Sequence, residues 1–533
     1  MIDRSDKTWW QRAIFYQIYP RSFQDSNADG VGDLHGILAR LDYLAGLGVD
    51  ALWISPFFRS PMLDAGYDVA DYRDIDPLFG SMADFGELLV AAHDRGIRVV
   101  IDLVVNHSSD QHPWFKAARS SIDDPKHDWY LWQPITGKRP PNNWVSLFEH
   151  RSAWYPNAAT GEWYLATFTR HQPEFNWRNP RLREAIYDIA RFWLDAGVDG
   201  FRMDVATAYF KDSQLRSNPF SLNLNPNLFQ HHLYDRNQPE VHAVFREFRA
   251  LADSYGDRVL IGETHGQDTA LAASCYGTNG DELHLAFNFN FLSSPWGARS
   301  FMESASRWYQ ALPAGAWPNF TLSNHDQKRH YHRYRSGQAT EARARVAAAM
   351  LLCLRGTPFL YYGEELGMDC ERLPRAVLQD PLGLSTWPLA FGRDPGRTPM
   401  QWDDSPHAGF SVTTPWLPVN HDYRRKNAAI QEVTPGSLLA WYKSLIILRK
   451  SEPAMQTGDI TWIAAPTDVL AWTRTQGRRS IDIFLDFGGR ARTIRLDGGT
   501  VRLGTRAAAG SNLAPGAYWL APYEALIVAR SDI

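Results

Sequence analysis

Three carboxylates stand where predicted β-strands end, and their positions along the chain suggest acid–base chemistry on a sugar. Asp204 and Glu263 each close a short apolar strand, and Asp326 follows another strand by a few residues. Because active sites of parallel barrels form at the carboxyl ends of the strands, we expect the three acids to converge there. Cleavage of a glycosidic bond needs such a set, since one carboxylate stabilises an oxocarbenium-like transition state and a protonated acid assists the leaving oxygen. Each acid alone is equally well explained as a helix N-cap or a rim carboxylate.

The elements that must position these acids alternate over the first four-fifths of the chain. Short apolar or β-branched runs predict eight strands, at residues 13–18, 51–57, 99–105, 200–205, 259–263, 285–289, 319–323 and 359–362. Amphipathic helices with apolar residues at three- and four-residue spacing lie between them, among them 82–95, 180–196, 239–255 and 341–354. This order predicts an α/β fold, a (β/α)8 TIM-type barrel.

Long connections predict further structure around this barrel. The segment after the third strand is rich in Pro, Trp and Asn, and loops of this length usually fold separately or carry function. Excursions at 211–237 and 368–424 leave from the same barrel face, so they can help to wall in a pocket. In chain order, the predicted units are the first part of the barrel at 1–105, an inserted irregular domain at 106–177, the second part of the barrel at 178–455 and a C-terminal antiparallel β domain at 456–533.

Composition limits the class of partner. The 533-residue chain has 55 Lys and Arg against 59 Asp and Glu, and its basic residues form no stripe, so nucleic acid is not expected as a partner. The N-terminal residues lack the apolar stretch of a signal peptide and no window approaches a membrane span, so we expect a cytoplasmic protein with no membrane partner. Three scattered cysteines are too few for a disulfide framework or a zinc site. The sequence makes no prediction of oligomeric state.

Five motifs make the chain resemble a known family. They are Tyr16-Gln-Ile-Tyr-Pro-Arg-Ser-Phe23, Asp102-Leu-Val-Val-Asn-His107, Gly200-Phe-Arg-Met-Asp204, Gly262-Glu263 and Ser323-Asn-His-Asp326. Over nearly its whole length the chain resembles the α-amylase superfamily, glycoside hydrolase family thirteen, and within it the exo-acting α-glucosidase and oligo-1,6-glucosidase branch. The resemblance implies a retaining mechanism, in which Asp204 attacks the anomeric carbon, Glu263 is the general acid and base, and Asp326 binds the 2- and 3-hydroxyls.

The same resemblance implies contacts around these acids. Arg202, two residues before the nucleophile and on the same strand face, would keep Asp204 ionised through a charge-assisted hydrogen bond. His107 and His325 would donate to ring hydroxyls, and Phe168 would line the substrate site. In Gln172-Pro-Glu-Phe-Asn-Trp177 the acid is Glu174, where the family usually has Asp, and the charge is kept.

Closure of the pocket distinguishes exo from endo action. The segment Asp64-Ala-Gly-Tyr-Asp68 matches one in which an Asp binds the terminal 4-hydroxyl and a Tyr stacks under the sugar, and Asp64 and Tyr67 take those places. Arg397, which opens Arg397-Thr-Pro-Met-Gln-Trp-Asp403, matches the arginine that pairs with that Asp. The resemblance therefore implies an exo-acting α-glucosidase whose partners are small α-glucosides and oligosaccharides.

A loop near the N-terminus predicts a metal site. Its expected oxygen ligands are the side chains of Asp25, Asn27, Asp29 and Asp33 and the carbonyl of Val31. The spacing matches the first part of an EF-hand loop, although Gly36 stands where the bidentate Glu would be. The resemblance implies a structural Ca2+ here, and the alternative is a loop closed by its own Asx turns. No organic cofactor is expected.

Linkage and the fate of the intermediate stay open. Val205, after the nucleophile, resembles the oligo-1,6-glucosidases, whereas segment 212–219 looks more like bacterial α-glucosidases that act on maltose or transfer glucose. A dedicated α-glucosyltransferase or a sucrose or trehalose isomerase would share the catalytic residues, although residues 327–332 lack the arginine- and aspartate-rich run of sucrose isomerases. A non-catalytic binding subunit is a remote alternative, because such relatives lose the catalytic carboxylates.

Overall fold

Eight parallel strands form the centre of the computed structural model, which describes residues 2–222, 229–264, 268–389 and 391–530. The strands are β1 (Phe15–Ile18), β2 (Ala51–Ile54), β3 (Arg98–Leu103), β4 (Gly200–Met203), β5 (Val259–Gly262), β6 (Leu285–Ala286), β7 (Asn319–Thr321) and β8 (Thr357–Tyr361). They pair in the order β6-β5-β4-β3-β2-β1-β8-β7, and every ladder is parallel. All other neighbouring strands are paired, and in the described part of the chain no ladder joins β6 to β7. The barrel is therefore closed except between these two strands. The predicted TIM-type barrel is confirmed.

Seven of the eight predicted strands extend past the observed ones at their carboxyl ends, and two of these differences have a cause in the backbone that follows the strand. The run 200–205 overshoots β4 because Val205 has φ of 45°, in the left-handed region, which turns the chain out of the strand. The run 285–289 overshoots β6 because Phe289 begins the short helix Phe289–Leu292. Both differences lie at the barrel face where the chain leaves to form the site.

Helices surround the barrel. The longer ones are Leu41–Leu47, Met82–Asp94, Pro180–Asp195, Val241–Ser254, Ala298–Ala311, Thr340–Cys353 and Leu438–Ser451. Shorter helices are Trp9–Arg12, Leu34–Ala39, Pro113–Ala118, Thr269–Ser274, His330–Arg333, Pro381–Thr386, Ala428–Val433 and Pro453–Gln456. The 3₁₀ turns are Pro20–Ser22, His127–Trp129, Ala206–Ala208, Arg375–Val377, Asp394–Gly396 and Pro406–Gly409. Asn179 caps the longest helix by accepting from two backbone N–H groups, and Gly197 follows its end with φ of 105°.

Additional sheets lie outside the barrel, and one of them falls in the long connection predicted after the third strand. Between β3 and β4 a three-stranded antiparallel sheet consists of Trp132–Pro134, Trp154–Asn157 and Glu162–Leu165. After β2 a short hairpin joins Phe58–Arg59 to Asp71–Ile75. The C-terminal strands are Asp459–Trp462, Val469–Gln476, Arg479–Asp486, Arg492–Leu496, Gly499–Gly504, Asn512–Leu513, Gly516–Leu520 and Ala525–Ala529, paired antiparallel. The predicted excursions 211–237 and 368–424 follow β4 and β8, but residues 223–228 and 390 lie outside the described residues.

The interior is apolar and aromatic, and all three cysteines are buried and unpaired. Among the described helices, none combines the length and the apolar character that crossing a membrane requires.

A buried carboxyl group beside β1 predicts a pH-dependent stability. Glu365 is fully buried and accepts hydrogen bonds from the hydroxyls of Tyr16 (2.8 Å) and Tyr43 (2.7 Å). Burial raises the pKa of Glu365 from 4.5 to about 7, so the folded chain binds this proton more tightly than the unfolded chain. The stability that the proton contributes is complete below pH 4.5 and is lost as pH rises to 7. We expect this group to lower the free energy of unfolding by about 3 kcal/mol over that window.

Glu365→Gln removes the titration and keeps an oxygen that accepts from the tyrosines. Its melting temperature, measured by calorimetry between pH 4.5 and 7.5, should therefore fall less steeply than that of the unchanged protein. Glu432→Gln is the matched control, because Glu432 is exposed and pairs with Lys443. Equal slopes for all three proteins would contradict the prediction.

Candidate active site

One arginine on β4 connects three carboxylates at the carboxyl ends of adjacent strands. Arg202 Nη1 donates to Asp102 Oδ1 at 2.6 Å and to Asp204 Oδ1 at 2.5 Å. Arg202 Nη2 lies 2.7 Å from Glu263 Oε2. All four side chains are buried. Two of the three predicted catalytic acids are therefore held by the same guanidinium.

Local backbone geometry explains this convergence. Arg202 and Asp204 are two residues apart, so they project from the same face of the chain. The left-handed turn at Val205 then directs its backbone N–H to Glu263 Oε2, at 2.9 Å. Below them the indole of Trp53 lies 5.1 Å from the Arg202 guanidinium and donates to Asp102. A β-branched residue in a left-handed conformation is strained, and here this conformation places the Val205 N–H where it binds Glu263.

The charges of this cluster do not balance. Burial raises the pKa of Asp102 to about 6, against the effect of Arg202. Burial also raises the pKa of Asp204 well above its ordinary value; Arg202 opposes that rise, and the neighbouring Glu263 and Asp102 add to it. Three buried carboxylates that face one guanidinium favour retention of a proton. The site can therefore hold an ionised acid next to a protonated one.

The third predicted acid, Asp326, is held by cations and by a histidine. Arg397 Nη2 donates to Asp326 Oδ1 at 3.0 Å, and His325 Nε2 lies 3.1 Å from Oδ2. Gln17 faces His325 Nδ1 at 2.8 Å, so the hydrogen-bond pattern assigns the Nε2–H tautomer. Burial lowers the pKa of His325 to about 3. Burial raises the pKa of Asp326, but His325, Arg393 and Arg397 together hold it below its ordinary value.

The other predicted substrate residues surround these acids. The Tyr67 hydroxyl lies 2.6 Å from His325 Nε2 and 3.3 Å from Asp102, and the Tyr67 and His325 rings stack with centroids 5.4 Å apart. His107 Nε2 lies 3.1 Å from the Tyr67 carbonyl oxygen, so donation to a sugar requires that this hydrogen bond be shared. Burial lowers the pKa of His107 to about 4, which keeps it neutral. The Phe168 ring lies 5.1 Å from the His107 ring.

The predicted partner of Asp64 is wrong. Arg393 Nη2 lies 2.7 Å from Asp64 Oδ1, and Gln172 donates to the other oxygen at 3.0 Å. The same guanidinium is bound to Asp380 at 2.7 Å. Asp64 is buried, so this pair is a desolvated ion pair.

The pairing differs because a 3₁₀ turn separates the two arginines. Asp394–Gly396 forms that turn, so Arg393 and Arg397 leave it in different directions. Arg397 donates to the His325 carbonyl at 2.8 Å and to Asp326. Arg397 therefore lies in the site, but it pairs with Asp326 and not with Asp64.

Sequence reasoning missed several residues of this site. Asp102 had a signal, because it opens a motif that carries the family resemblance. Arg393 lies four residues before Arg397, the predicted partner of Asp64. Gln172 also had a signal, because it opens the segment Gln172–Trp177 that was compared with the family, whereas Asp380 had none that separates it from ordinary polar residues. Each of these four residues holds another side chain of the site in place.

The predicted calcium loop is closed by its own hydrogen bonds. Asp25 Oδ1 accepts from the backbone N–H of Ala28 at 2.8 Å, and Asp33 Oδ1 accepts from that of Gly36 at 2.7 Å. Asn27 and Asp29 make the same kind of bond two residues onward. Where the chain is described, no group of three or more His, Cys, Asp or Glu is arranged to hold a metal ion. The arrangement is that of Asx turns, and calcium binding, with the Val31 carbonyl as a ligand, stays a prediction.

Removal of calcium tests that prediction. If the loop binds the ion, protein freed of metal with EGTA should melt at a higher temperature once CaCl2 is added, because the ion binds the folded state. Asp29→Asn should weaken this rise, and Asp71→Asn, at another exposed aspartate, should keep it. A melting temperature that is independent of calcium would leave the Asx turns as the whole explanation of the loop.

The chain matches known proteins over most of its length. The family described as alpha amylase, catalytic domain, matches residues 17–458. The probable alpha-glucosidase of Rhizobium meliloti (strain 1021) is 42% identical over 505 residues, which cover 92% of this chain and 91% of the relative. The oligo-1,6-glucosidase of Parageobacillus thermoglucosidasius is 38% identical over 523 residues, with 92% of each chain covered.

Solved structures give the same assignment. The alpha-glucosyl transfer enzyme XgtA matches with a TM-score of 0.92 at 39% identity, over 98% of this chain and 99% of that one. The trehalulose synthase MutB from Pseudomonas mesoacidophila MX-45 matches with a TM-score of 0.91 at 34% identity, over the same shares. Together with the motifs at the barrel mouth, these matches show that the chain belongs to the α-amylase family, glycoside hydrolase family thirteen, in its α-glucosidase and oligo-1,6-glucosidase branch.

Proposed function

We propose that this enzyme is a retaining, exo-acting α-glucosidase that releases terminal glucose from short α-glucosides. The observation that carries the proposal is the shared guanidinium of Arg202, which lies 2.5 Å from Asp204 and 2.7 Å from Glu263. One guanidinium spans a short distance. It therefore favours the carboxyl separation of about 5 to 5.5 Å in retaining glycosidases over the about 6.5 to 9.5 Å of inverting ones.

The proposed reaction has two displacements at the anomeric carbon. In the first, an oxygen of Asp204 attacks that carbon while Glu263 gives its proton to the glycosidic oxygen, and the bond to the aglycone breaks. In the second, the Glu263 carboxylate takes a proton from water, which attacks the same carbon and releases Asp204. Two inversions give net retention. The first step needs a proton on Glu263 and an ionised Asp204, and the hydrogen bond from Arg202 to Asp204 favours the ionised form of the nucleophile.

Asp326 binds the 2- and 3-hydroxyls of the sugar in this proposal and favours distortion of the ring. Its depressed pKa keeps it ionised at neutral pH, so it accepts hydrogen bonds from both hydroxyls. Neutral His325 lies on the same side, and its donation to the sugar requires that the Nε2–H now facing Tyr67 and Asp326 be shared. These contacts stabilise positive charge that develops on the sugar ring during bond cleavage.

Exo action follows from the wall that Asp64 and Arg393 form. In this proposal Asp64 binds the 4-hydroxyl of the terminal sugar, and the ion pairs of Arg393 with Asp64 and Asp380 block a further unit beyond it. The wall therefore selects the non-reducing end of a chain. The pair is buried, so its hydrogen bonds are not weakened by water.

Asp64→Asn is expected to lower kcat/KM for an aryl α-glucoside by about 10- to 100-fold, the value of a hydrogen bond to a charged group. The loss should disappear with the 4-deoxy aryl α-glucoside, because that substrate lacks the hydroxyl that Asp64 binds. Steady-state kinetics of both proteins on both substrates measure this directly.

Asp71→Asn is the matched control, since that aspartate is exposed on the hairpin after β2. It should leave both substrates unaffected. An equal loss on the 4-deoxy substrate would show that Asp64 does not bind the 4-hydroxyl.

Transfer of glucose to a second sugar is the other candidate for the fate of the intermediate. Phe148, Phe168, Val205 and Ala208 form an apolar cluster beside the nucleophile turn. An apolar surface there excludes water and suits binding of an acceptor. The likeness to XgtA and MutB supports the same candidate, either as transglucosylation during hydrolysis or as a dedicated glucosyltransferase or isomerase.

Product analysis tests the proposal. The purified enzyme is incubated with maltose, isomaltose, nigerose, kojibiose, sucrose and trehalose, and the anomer and the transfer products are followed over time. Release of α-glucose as the first product supports a retaining glucosidase. Release of β-glucose would refute retention, and conversion of sucrose to isomers without free glucose would favour an isomerase.

A further inference from the structure

A buried ion pair connects the inserted sheet to the loop that follows the nucleophile. Lys211 Nζ lies 2.5 Å from Glu174 Oε2, and both side chains are only 1% exposed. Lys211 comes after the 3₁₀ turn Ala206–Ala208, and Glu174 follows the last strand of the inserted sheet. Two charges of this kind lose their hydration on folding, and an apolar pair of similar volume is often at least as stable.

Each member of the pair also holds a backbone group on its own side. Lys211 Nζ donates to the carbonyl oxygen of Ala208 at 2.6 Å. Glu174 Oε1 accepts from the backbone N–H of Thr167 at 3.2 Å. Ala208 is three residues after Val205, and Thr167 directly precedes Phe168. The pair therefore spans the two sides of the apolar cluster that contains Val205, Ala208 and Phe168.

The backbone links on both sides lead to the site. Ala208 N donates to the Val205 carbonyl at 2.8 Å, which closes the turn next to the nucleophile. On the other side, Glu174 forms a backbone bridge with His107. A shorter or longer side chain at position 174 or 211 moves Val205 relative to Phe168, because both side chains of the pair are buried in packed surroundings.

We infer that the Glu174–Lys211 pair positions the acceptor side of the site and so sets how the glucosyl intermediate is divided between water and sugar acceptors. This inference rests on the proposed glucosidase function. Glu174 and Lys211 are positioning residues, since they act through Val205, Ala208 and Phe168. Arg202 holds Asp204 and Glu263, and the N–H of Val205 also binds Glu263. A fluoride leaving group needs no general acid, so the pair should change the acceptor side and leave cleavage of that activated substrate unchanged.

Four variants separate these effects. Glu174→Asp keeps the charge and shortens the reach, Glu174→Gln removes the carboxylate charge, Lys211→Met removes the ammonium, and the double variant Glu174→Gln/Lys211→Met removes both charges. Each is assayed on α-glucosyl fluoride, whose leaving group makes no use of the acceptor side, and on maltose and isomaltose. Circular dichroism and melting temperature establish which variants are folded.

The expected result is an unchanged kcat/KM for α-glucosyl fluoride in folded variants, together with a change of about tenfold in the ratio of transfer to hydrolysis on maltose. Glu174→Asp should shift the ratio although the charge is kept. An unchanged ratio in every folded variant would overturn the inference, as would an equal loss on the fluoride and on both disaccharides. Failure of all four to fold would also overturn it, because the pair would then hold the fold rather than the acceptor side. If the unchanged enzyme does not hydrolyse the fluoride, the proposed function fails instead.

Discussion

Asp204→Asn is expected to lower kcat for an aryl α-glucoside by at least about 10³-fold, as loss of a nucleophile does in other covalent enzymes. The amide cannot form the ester with the anomeric carbon, and the covalent route closes. Folding should persist, because Asn has the same shape and Arg202 keeps Asp102 and Glu263 as partners. Kinetics with a fluorogenic aryl α-glucoside and a melting curve measure both quantities.

Asp195→Asn is the matched control, since Asp195 is an exposed carboxylate at the end of a barrel helix. It should keep full activity. The variant Asp204→Gly gives a stereochemical test with azide, because azide can enter the space of the lost carboxylate and attack the anomeric carbon in its place. The product should be β-glucosyl azide, formed by a single inversion. Activity of Asp204→Asn near that of the unchanged enzyme would refute its role as nucleophile.

Glu263→Gln should give the second-largest loss, and its size should depend on the leaving group. Maltose needs a proton on its leaving oxygen, so its kcat/KM should fall by roughly 10²- to 10⁴-fold, the usual contribution of general acid catalysis. An aryl glucoside with an acidic phenol leaves without that proton, so formation of the intermediate should be affected much less. Pre-steady-state kinetics should then show a burst of phenol, because the second step still needs the base.

A control variant and an azide experiment test the role of Glu263 further. Glu341→Gln changes an exposed glutamate that pairs with Arg345 and should behave as the unchanged enzyme. With Glu263→Ala, azide needs no base and should accelerate turnover of the aryl glucoside to α-glucosyl azide, the anomer opposite to that from Asp204→Gly. An equal loss on maltose and on the activated substrate would show that Glu263 is not the acid.

Strand order explains why the convergence of the proposed catalytic acids was predictable. In a parallel barrel every strand delivers its carboxyl end to the same face, so acids at the ends of β4 and β5 and after β7 must meet. The contact between Arg202 and Asp204 is also predictable, because residues two apart in a strand project from the same face of the chain. These relations depend on backbone periodicity, which the pattern of apolar residues reports.

Pairing between distant loops was not predictable in the same way. Asp64 and Arg393 are 329 residues apart, and the choice between Arg393 and Arg397 depends on a single 3₁₀ turn. The buried pair of Glu174 and Lys211 likewise joins two connections whose lengths and composition carry no periodic signal. Such contacts depend on how irregular segments pack over the barrel, and packing is a property of the folded chain.

From the sequence alone came the barrel, the family and the three acids, because strand periodicity and motif order are local properties. The partner of Asp64, the guanidinium shared by Asp102, Asp204 and Glu263, and the left-handed turn at Val205 emerged only in the tertiary structure. The physical reason is that each of these features requires groups from separate segments to be desolvated together, and their hydrogen bonds are then chosen by distance and direction rather than by order along the chain.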